Sequence, residues 1–478
     1  MADDTTHSDV LIVGAGSAGS VLAERLCADP ARRVTVVETG PGPAEPGVRD
    51  FTRNGLQLPI GGASPLVQRY RTRLTDDPPR PADIVRGATV GGSGAVNGGY
   101  FCRALPTDFD GPAVPGWSWL DVLPHYRAIQ TDLDFPERAD GGPIAIRRTH
   151  EFVGSTAAFI AATRDAGLPW LPDLNAEPTG DNVPPGIGAV PLNIVDGVRV
   201  GPGAAFLEPA MTRPNLTVLP RTRVLRVVVA GSRAVGVDAV GPGGPVTLTA
   251  DRIVLSAGAI GSAHLLMLSG IGPAAALRDA GIPVLANLPV GQRTSDHPEW
   301  VIPTTWSVAA RRPVLEVVLV VDGLEIRPYT GGFIAMVGDA TAGHPDWPHL
   351  GVALMRPRSH GRVSLVSADP QVPPHIEHHY DSVADDVADL RRGCRLASEL
   401  LSATTEIGDP MWATSQHLCG TAPMGADGDE AAVVDPRCRV RGIDGLWVVD
   451  GSVLPRITGR GPHATIAMIG HRAAEFIG

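Results

Sequence analysis

The residues with the clearest chemical meaning lie near the N-terminus. Gly14, Gly16 and Gly19 form a Gly-x-Gly-x-x-Gly turn directly after the apolar run Val10–Val13, and Glu38 ends a second apolar run. A glycine turn between a strand and a helix lets the backbone approach a pyrophosphate, whose charge the helix N-terminus attracts. A carboxylate about twenty residues further on accepts hydrogen bonds from ribose hydroxyls. The spacing predicts a dinucleotide site, and the alternative is a glycine turn of another α/β protein.

Two later glycine-rich segments are expected beside the same ligand. Arg86–Gly99 contains too much glycine for a stable helix or central strand, so its backbone amides are free to contact a flat ring. Ser256–Ala263 begins a helix directly after the apolar run Arg252–Leu255. Which dinucleotide binds is not decided by these segments.

The composition excludes several classes of function. All 40 basic residues are arginine, so the chain lacks the lysine of a Schiff-base enzyme or a phosphate-binding P-loop. A net charge of −11 over 478 residues gives no electrostatic footprint for nucleic acid. No apolar run approaches the roughly 18 residues that span a bilayer, and the N-terminus is polar and acidic. We expect no nucleic-acid partner, no transmembrane segment and a cytoplasmic protein, with the inner face of the membrane as a peripheral alternative.

The cysteines and histidines do not predict a metal centre. Five cysteines are scattered without a Cys-x-x-Cys pair, which is typical of reduced structural thiols. His375, His378 and His379 cluster with Glu377 alone, which is too few carboxylates at a suitable spacing. We expect no bound metal.

The elements that would position these residues belong to an α/β protein. Val34–Val37 is predicted to be a second buried strand, and the runs from Asn215 to Thr249 are predicted to be strands of an antiparallel layer. Ser382–Leu401 has the apolar spacing of an amphipathic helix. Gly445–Asp450 is predicted to be a strand that returns to the first sheet, followed by a final helix from Pro462 to Phe476.

The chain resembles the glucose–methanol–choline (GMC) flavin oxidoreductases over nearly its whole length. The matching motifs are Gly14–Gly19 with Glu38, Gly87–Asn97, Trp117–Pro124, Gly258–Gly272, Leu288–Gly291 with Asp296–Pro298, His417–Thr421, Val434–Pro436 and Val448–Ser452. The resemblance implies a Rossmann-like FAD-binding domain carrying a smaller antiparallel substrate-binding sheet. The expected FAD-binding domain is discontinuous and comprises residues 1–150, 196–299 and 405–478, while residues 151–195 and 300–404 form the substrate-binding domain.

The resemblance also implies which residues hold FAD. Besides the three turn glycines, the cofactor-binding residues it implies are Ser17 and Ala18 at the pyrophosphate, Glu38 at the adenosine ribose, Val224 at the adenine, Val90, Ser93, Asn97 and Gly98 along the isoalloxazine, and Asp450, Gly451 and Thr465 from the C-terminal side. Some members attach the flavin covalently through a histidine, and Val96 occupies that position here. Non-covalent FAD is therefore expected.

Two histidines match the catalytic positions of the family. His417 matches the catalytic histidine, and His463 falls where a second histidine or asparagine usually lies, with a shift of one residue from the commonest spacing. A neutral imidazole is suited to accept a hydroxyl proton near neutral pH while hydride leaves for flavin N5. His417 is expected to be this base, and His463 is expected to orient the substrate and polarise the forming alkoxide.

The resemblance predicts an FAD-dependent dehydrogenase that oxidises the CH–OH group of a small-molecule alcohol. The short segment Asn97–Phe101 and the overall size resemble an actinobacterial branch associated with mycofactocin, a peptide-derived redox cofactor. Reduced mycofactocin would then be the hydride donor and a respiratory carrier the electron acceptor. The alternatives are an oxygen-using small-alcohol or choline-type oxidase and a lyase that retains FAD without redox chemistry.

Overall fold

Short runs of β-branched residues form the central sheet of the molecule. The computed structural model describes residues 7–62, 64–111, 114–177, 183–307, 311–332, 348–401 and 408–478. In spatial order, the first six strands are Leu216–Leu219, Val34–Val37, His7–Val13, Gly244–Leu255, Arg233–Gly241 and Arg223–Ala230, and Leu446–Val448 pairs with Gly244–Leu255 as the seventh. Its central strands are parallel and buried, as helix-covered sheets require.

One strand of this sheet differs from the sequence prediction. Leu216–Leu219 pairs parallel with Val34–Val37 at the sheet edge, although the run was expected in the antiparallel layer. The three strands between Arg223 and Leu255 do pair antiparallel, as predicted. A short apolar run has no feature that distinguishes parallel from antiparallel pairing, so its alternation could not identify its neighbour.

The carboxyl edge of this sheet brings together four distant parts of the chain. Val13 is in register with both Val37 and Leu255, and Leu255 is in register with Val448. The glycine turn, Glu38, Ser256 and Asp450 therefore all leave the sheet at one level. The predicted return of the last strand to the first sheet is confirmed.

A second seven-stranded sheet is built mainly from antiparallel pairs. Its strands, in spatial order, are Met411–Thr414, Pro298–Pro303, His349–Leu354, Leu324–Pro328, Val317–Val321, Gly186–Ala189 and Trp170–Leu171. The helix Ala384–Leu401 packs its apolar face on this sheet, with Leu390 and Ala397 buried. Met411–Thr414 pairs here although the expected FAD-binding segment includes it; the domain boundaries stay a prediction.

Smaller elements complete the described part of the chain. A four-stranded sheet contains Arg362–Ser364, His375–Glu377, Val67–Asp76 and Pro79–Gly87. The remaining α-helices are Ser17–Leu26, Val48–Arg53, Pro106–Asp110, Trp119–Ala128, Gly154–Asp165, Glu208–Ala210, Gly258–Leu268, Ala274–Asp279 and His463–Ile477. No helix within the described ranges combines the length and apolar character needed to cross a bilayer.

The C-terminal helix His463–Ile477 packs tightly against the helix Ser17–Leu26. A Cβ on Gly470 would lie 2.5 Å from the carbonyl oxygen of Ala18, so the close approach requires glycine. On its other side, the Nδ1 atoms of His471 and His125 are 2.8 Å apart, and Arg472 donates to Nε2 of His125. His125 must therefore carry its proton on Nδ1 and donate it to His471, which makes both rings neutral.

We expect the free energy of unfolding to fall as the pH drops from 6.5 towards 4. Burial lowers the pKa of His471 to about 4, so between these values the unfolded chain binds a proton that the folded chain does not. This histidine alone contributes up to about 1.4 kcal/mol per pH unit. Denaturant titrations over this pH range should show a shallower pH dependence for His471→Gln, whose amide oxygen still accepts from His125. The exposed, non-titrating control Gln371→Asn should keep the wild-type slope, and an unchanged slope for His471→Gln would contradict the assignment.

Candidate active site

A cavity of about 740 Å³ follows the carboxyl edge of the first sheet and extends to the second sheet. This volume is in the range of sites for small molecules and cofactors. Thirteen of the predicted site residues line it: Gly14, Gly16, Ser17, Ala18, Glu38, Ser93, Asn97, Gly98, Val224, His417, Asp450, Gly451 and His463. The fold thus collects in one cavity residues that are separated by most of the chain.

Glu38 lines the cavity in a setting that suits a ribose. The backbone amide of Ala15 donates to its Oε2 at 3.0 Å, and the amide of Gly40 donates to its Oε1 at 2.9 Å. Burial raises the pKa of Glu38 to about 7, against the lowering effect of these amides. Each carboxylate oxygen keeps a lone pair for another donor, which fits the two hydroxyls of an adenosine ribose.

The glycine turn has the shape of a cradle for a diphosphate. Gly14 adopts a φ of +103°, and a Cβ there would lie 2.4 Å from the carbonyl oxygen of Ser256. A Cβ on Gly19 would lie 2.1 Å from the carbonyl oxygen of Gly14, so both positions require glycine for packing. Gly16 differs, because a Cβ there would have only one protein atom within 4 Å, at 3.8 Å, and would occupy cavity space. The space beside Gly16 and the N-terminus of Ser17–Leu26 fits the pyrophosphate of FAD.

We expect Gly16→Ala to fold like the wild type and to bind FAD about 5- to 150-fold more weakly. The added methyl group meets no protein atom closely, but it intrudes on the space assigned to the ligand, and such overpacking costs about 1–3 kcal/mol. Flavin titration of the apoprotein measures the affinity, and thermal unfolding of the apoprotein measures the fold. Gly243→Ala, at an open surface turn, is the control. Wild-type affinity of Gly16→Ala would place the diphosphate elsewhere.

His417 and His297 form a hydrogen-bonded pair with a defined proton arrangement. Their Nδ1 atoms are 2.9 Å apart, and Nε2 of His297 lies 2.9 Å from the carbonyl oxygen of Thr458. A carbonyl oxygen can only accept, so His297 carries its proton on Nε2 and accepts at Nδ1. His417 must then donate from Nδ1, which leaves its Nε2 as a lone pair. His417 lines the cavity and His297 does not.

The backbones that carry these two rings are held by one carboxylate. Oδ1 of Asp296 accepts from the amides of His297 and His417, both at 2.8 Å, and Oδ2 accepts from the Thr414 hydroxyl at 2.8 Å. Burial first, and then the nearby charges, hold the pKa of His417 well below its ordinary value. Burial also lowers the pKa of His297 to about 4. Both imidazoles are therefore neutral, and His417 presents a base to the cavity.

Models of the GMC oxidoreductase family match residues 8–299 and 357–470. The chain belongs to this family. It is therefore an oxidoreductase of a family that typically uses FAD and acts on the CH–OH group of its donors.

Relatives of this GMC oxidoreductase match over nearly their whole length. It is 39% identical to an uncharacterized GMC-type oxidoreductase of Rhodococcus erythropolis, over 99% of both chains. It is 31% identical to an oxygen-dependent choline dehydrogenase of Brucella ovis, over 98% of this chain and 95% of the relative. Among solved structures, pyridoxine 4-oxidase from Mesorbium loti matches with a TM-score of 0.85 and 28% identity over 98% of both chains. Formate oxidase matches with a TM-score of 0.87 at 23% identity, over 100% of this chain and 99% of the other, which shows the fold alone.

His463 also lines the cavity, and Asn97 holds its ring. The amide of Gly99 donates to Oδ1 of Asn97, so the amide nitrogen of Asn97 donates to Nδ1 of His463 at 3.0 Å. The proton of this neutral imidazole is then on Nε2. A Cβ on Gly94 would lie 2.7 Å from that Nε2 and 2.5 Å from the Ser17 hydroxyl, so the ring lies beside the dinucleotide cradle.

Asp450 lies on the cavity lining but is already well supplied with donors. Its Oδ2 accepts from the amide of Gly258 at 2.9 Å and the hydroxyl of Ser262 at 2.6 Å, while Oδ1 accepts from the amide of Ser452 at 2.8 Å. The carboxylate thus joins the helix Gly258–Leu268 to the last sheet strand. Its predicted contact with FAD stays a prediction.

Three predicted cofactor residues lie behind the cavity lining. Gly19 packs on Gly14, as the tight turn requires. Val90 is buried in the core, and the Thr465 hydroxyl is 2.6 Å from that of Tyr126. Their roles in FAD binding stay predictions. Within the described part of the chain, no three His, Cys, Asp or Glu side chains are grouped to hold a metal ion.

His297 and Asp296 have supporting roles that the sequence alone did not predict. Both belong to the quoted segment Asp296–Pro298, so the motif was visible but its chemistry was not. The relevant contacts join His297 to residues more than a hundred positions away, at 417 and 458. An acidic residue beside a histidine just before a strand is the signal that could have indicated a supporting pair.

Proposed function

We propose that this GMC oxidoreductase oxidises a small-molecule alcohol to the carbonyl compound, with His417 as the base. The observation that carries the proposal is the proton arrangement of the His417–His297 pair, which leaves an unprotonated Nε2 on a residue of the cavity lining. A neutral base in this position is what removal of a hydroxyl proton requires. Pyridoxine 4-oxidase, at 28% identity, supports an alcohol donor by its name.

In the proposed reaction, the substrate hydroxyl donates to Nε2 of His417 and transfers its proton there. Bound FAD would supply the hydride acceptor. His297 keeps the His417 ring in the correct tautomer, and Asp296 fixes the backbone of both. We assign His463 to the cofactor side, because its Nε2 lies close to Gly94 beside the glycine turn and has no hydrogen-bond partner among the described residues. The earlier expectation that it orients the substrate remains the alternative.

We also propose that FAD is held without a covalent bond. Val96 lies on the cavity lining at the position where some family members have a tethering histidine, and a valine side chain cannot form such a bond. Acid precipitation should release all of the flavin into the supernatant. Flavin that stays with the protein pellet would contradict this proposal.

The identities of the hydride donor and of the electron acceptor are proposed from the sequence resemblance. We propose reduced mycofactocin as the specific hydride donor, with electrons passing from the flavin to a respiratory acceptor. An oxidase is the second candidate, favoured by the likeness to pyridoxine 4-oxidase. Rapid reoxidation of the reduced enzyme by air would favour the oxidase, whereas slow reoxidation by air and fast reoxidation by a quinone would favour the dehydrogenase.

Anaerobic titration of the yellow holoenzyme tests the proposed function. Addition of a suitable alcohol, or of reduced mycofactocin, should bleach the absorbance of the oxidised flavin and yield the matching carbonyl compound or oxidised mycofactocin. Bleaching by reduced mycofactocin but by no simple alcohol would support the narrower donor. Failure of every donor to bleach the flavin would contradict the proposal and favour the lyase alternative.

A further inference from the structure

A group of four buried charged side chains lies beside the proposed base. Glu299, Glu325 and Arg327 come from the second sheet, and Arg460 comes from the loop before the C-terminal helix; none is more than 4% exposed. Arg327 lines the cavity. The two carboxylates and the two guanidinium groups give this group a net charge of zero.

The group borders the place where a substrate would meet His417. A Cβ on Gly461 would lie 3.5 Å from Cε1 of His417 and 3.0 Å from the ring of Tyr100. The Tyr100 hydroxyl donates to Oε1 of Glu325 at 2.8 Å. On the other side, Ser415, two residues before His417, is 2.8 Å from Nη1 of Arg327. The reacting carbon of an alcohol bound at His417 is therefore close to these groups.

Every N–H of Arg327 already has a partner. Nε and Nη2 donate to Oε2 of Glu325 at 3.1 and 2.9 Å, and Nη1 donates to Oε2 of Glu299 at 3.0 Å and to the Ser415 hydroxyl. The remaining hydrogen on Nη2 is directed at Sδ of Met355 at 3.4 Å. A guanidinium group has five N–H donors, and all five are used. Arg327 has none left to bind an anionic substrate.

The carboxylates of Glu325 and Glu299 also accept hydrogen bonds from other side chains. Besides Arg327, Glu325 accepts from Arg460 at 3.2 Å and from Tyr100, and Glu299 accepts from the Tyr329 hydroxyl at 2.8 Å. Although burial alone would raise it, Arg327 and Arg460 hold the pKa of Glu325 below its ordinary value, so this carboxylate stays ionised and paired. Within the described residues, no free carboxylate faces this end of the cavity. A cation would lose its hydration there without gaining a counter-ion.

The other lining groups nearby do not favour a cation either. Val314, Leu315 and Leu58 form an apolar wall against which Tyr100 and Tyr329 pack. Arg86 adds a positive charge to the lining, and its unpartnered Nη2 is buried. The tyrosine hydroxyls have committed their hydrogens to glutamates and offer only lone pairs to a substrate.

We infer that the alcohol oxidised here carries no positive charge near its reacting carbon and has an apolar body, so that quaternary ammonium alcohols are poor substrates. This inference rests on the proposed function. The inferred substrate differs from the cationic alcohol, choline, that is stated in the names of the choline dehydrogenases to which the chain is 31% identical.

Two isosteric pairs of alcohols test the inference. Choline is compared with the alcohol in which a tert-butyl group replaces the trimethylammonium group, and benzyl alcohol carrying a para-tert-butyl group is compared with its para-trimethylammonium counterpart. The rate of anaerobic flavin reduction divided by the apparent dissociation constant should favour the neutral member by at least about 100-fold in each pair that reacts. An equal or better cationic member in either pair would overturn the inference while leaving the proposed function in place. No bleaching by any of the four alcohols or by other simple alcohols would instead contradict the proposed function.

A negative charge added to the apolar wall should reverse part of the preference for neutral alcohols. Leu315→Glu adds a carboxylate to the apolar wall, whereas Leu315→Gln adds a similar volume without the charge. We expect the ratio of cationic to neutral turnover to be at least about tenfold higher in Leu315→Glu than in Leu315→Gln. Equal ratios in two flavin-loaded variants would show that the charge at this wall does not set the preference.

Discussion

His417→Ala is expected to retain bound FAD and to lose at least about 100-fold in the rate of flavin reduction by an alcohol. The expected loss is the usual contribution of a positioned general base. The hydrogen bonds of His417 join it to His297 and Asp296 and not to Glu38 or the glycine turn, so its removal is expected to leave the proposed adenosine and diphosphate sites unchanged. Rapid mixing under anaerobic conditions measures the rate, and the flavin-to-protein absorbance ratio measures the occupancy.

A second cavity histidine provides the matched control for this experiment. His264 also lines the cavity, but it follows the Ser256 segment and carries no hydrogen bond to the His417 pair. We expect an alcohol to reduce the flavin of His264→Ala at a rate within a few-fold of the wild-type rate. Near-normal reduction by His417→Ala would reject His417 as the base, and an equal loss in both variants would indicate general damage to the cavity.

The pH dependence of flavin reduction should report the same group. Burial is the main cause that holds the pKa of His417 well below 6.5, and the neighbouring His297 and Arg327 act in the same direction. The neutral, reactive form therefore persists as the pH falls, and protonation removes it only in more acid solution. We expect a level reduction rate from mildly alkaline pH down to at least pH 6.5, and a fall only below that value. A wild-type rate that already declines above pH 6.5 would contradict a buried neutral base.

The cofactor half of the cavity could be predicted from local spacing. A strand, a glycine turn, a helix and a second strand that ends in Glu38 all lie within one short segment, and each position has a local physical requirement. The 2.4 Å approach of a Gly14 Cβ to Ser256 shows the same requirement in three dimensions. The parallel pairing of Leu216–Leu219 could not be predicted in this way, because it depends on a strand far away in the sequence.

The substrate half depends on contacts between distant strands. Arg327 meets Glu299 and Ser415 only because Pro298–Pro303, Leu324–Pro328 and the segment after Met411–Thr414 converge in the second sheet. The sequence shows that these residues are charged or polar, but it does not show that their charges cancel. His417 could be found because its motif is continuous, whereas the proton arrangement that would let it act as the proposed base requires the carbonyl group of Thr458.

Replacement of His297, which donates to that carbonyl group, is expected to have the second large effect on flavin reduction. His297 does not line the cavity and would not touch the substrate. His297 is fully buried behind His417 and accepts the Nδ1 proton of its ring. In His297→Leu this proton has no acceptor, so the ring is expected to move it to Nε2 and to lose the lone pair that serves as the base. We expect the limiting rate of flavin reduction to fall about tenfold to 100-fold, with little change in the apparent dissociation constant of the alcohol.

His297→Gln distinguishes control of the tautomer from simple packing. Its amide nitrogen can donate to Thr458 while its amide oxygen accepts from His417, so the original proton arrangement is restored without an imidazole. The glutamine variant should recover most of the lost rate, although both variants disturb the packing of a fully buried site. Leucine and glutamine variants that reduce flavin equally slowly, with equal FAD content and thermal stability, would show that His297 has only a packing role. Recovery of the rate in the glutamine variant but not in the leucine variant is expected if hydrogen bonds from the carbonyl group of Thr458, through residue 297, set the tautomer of His417.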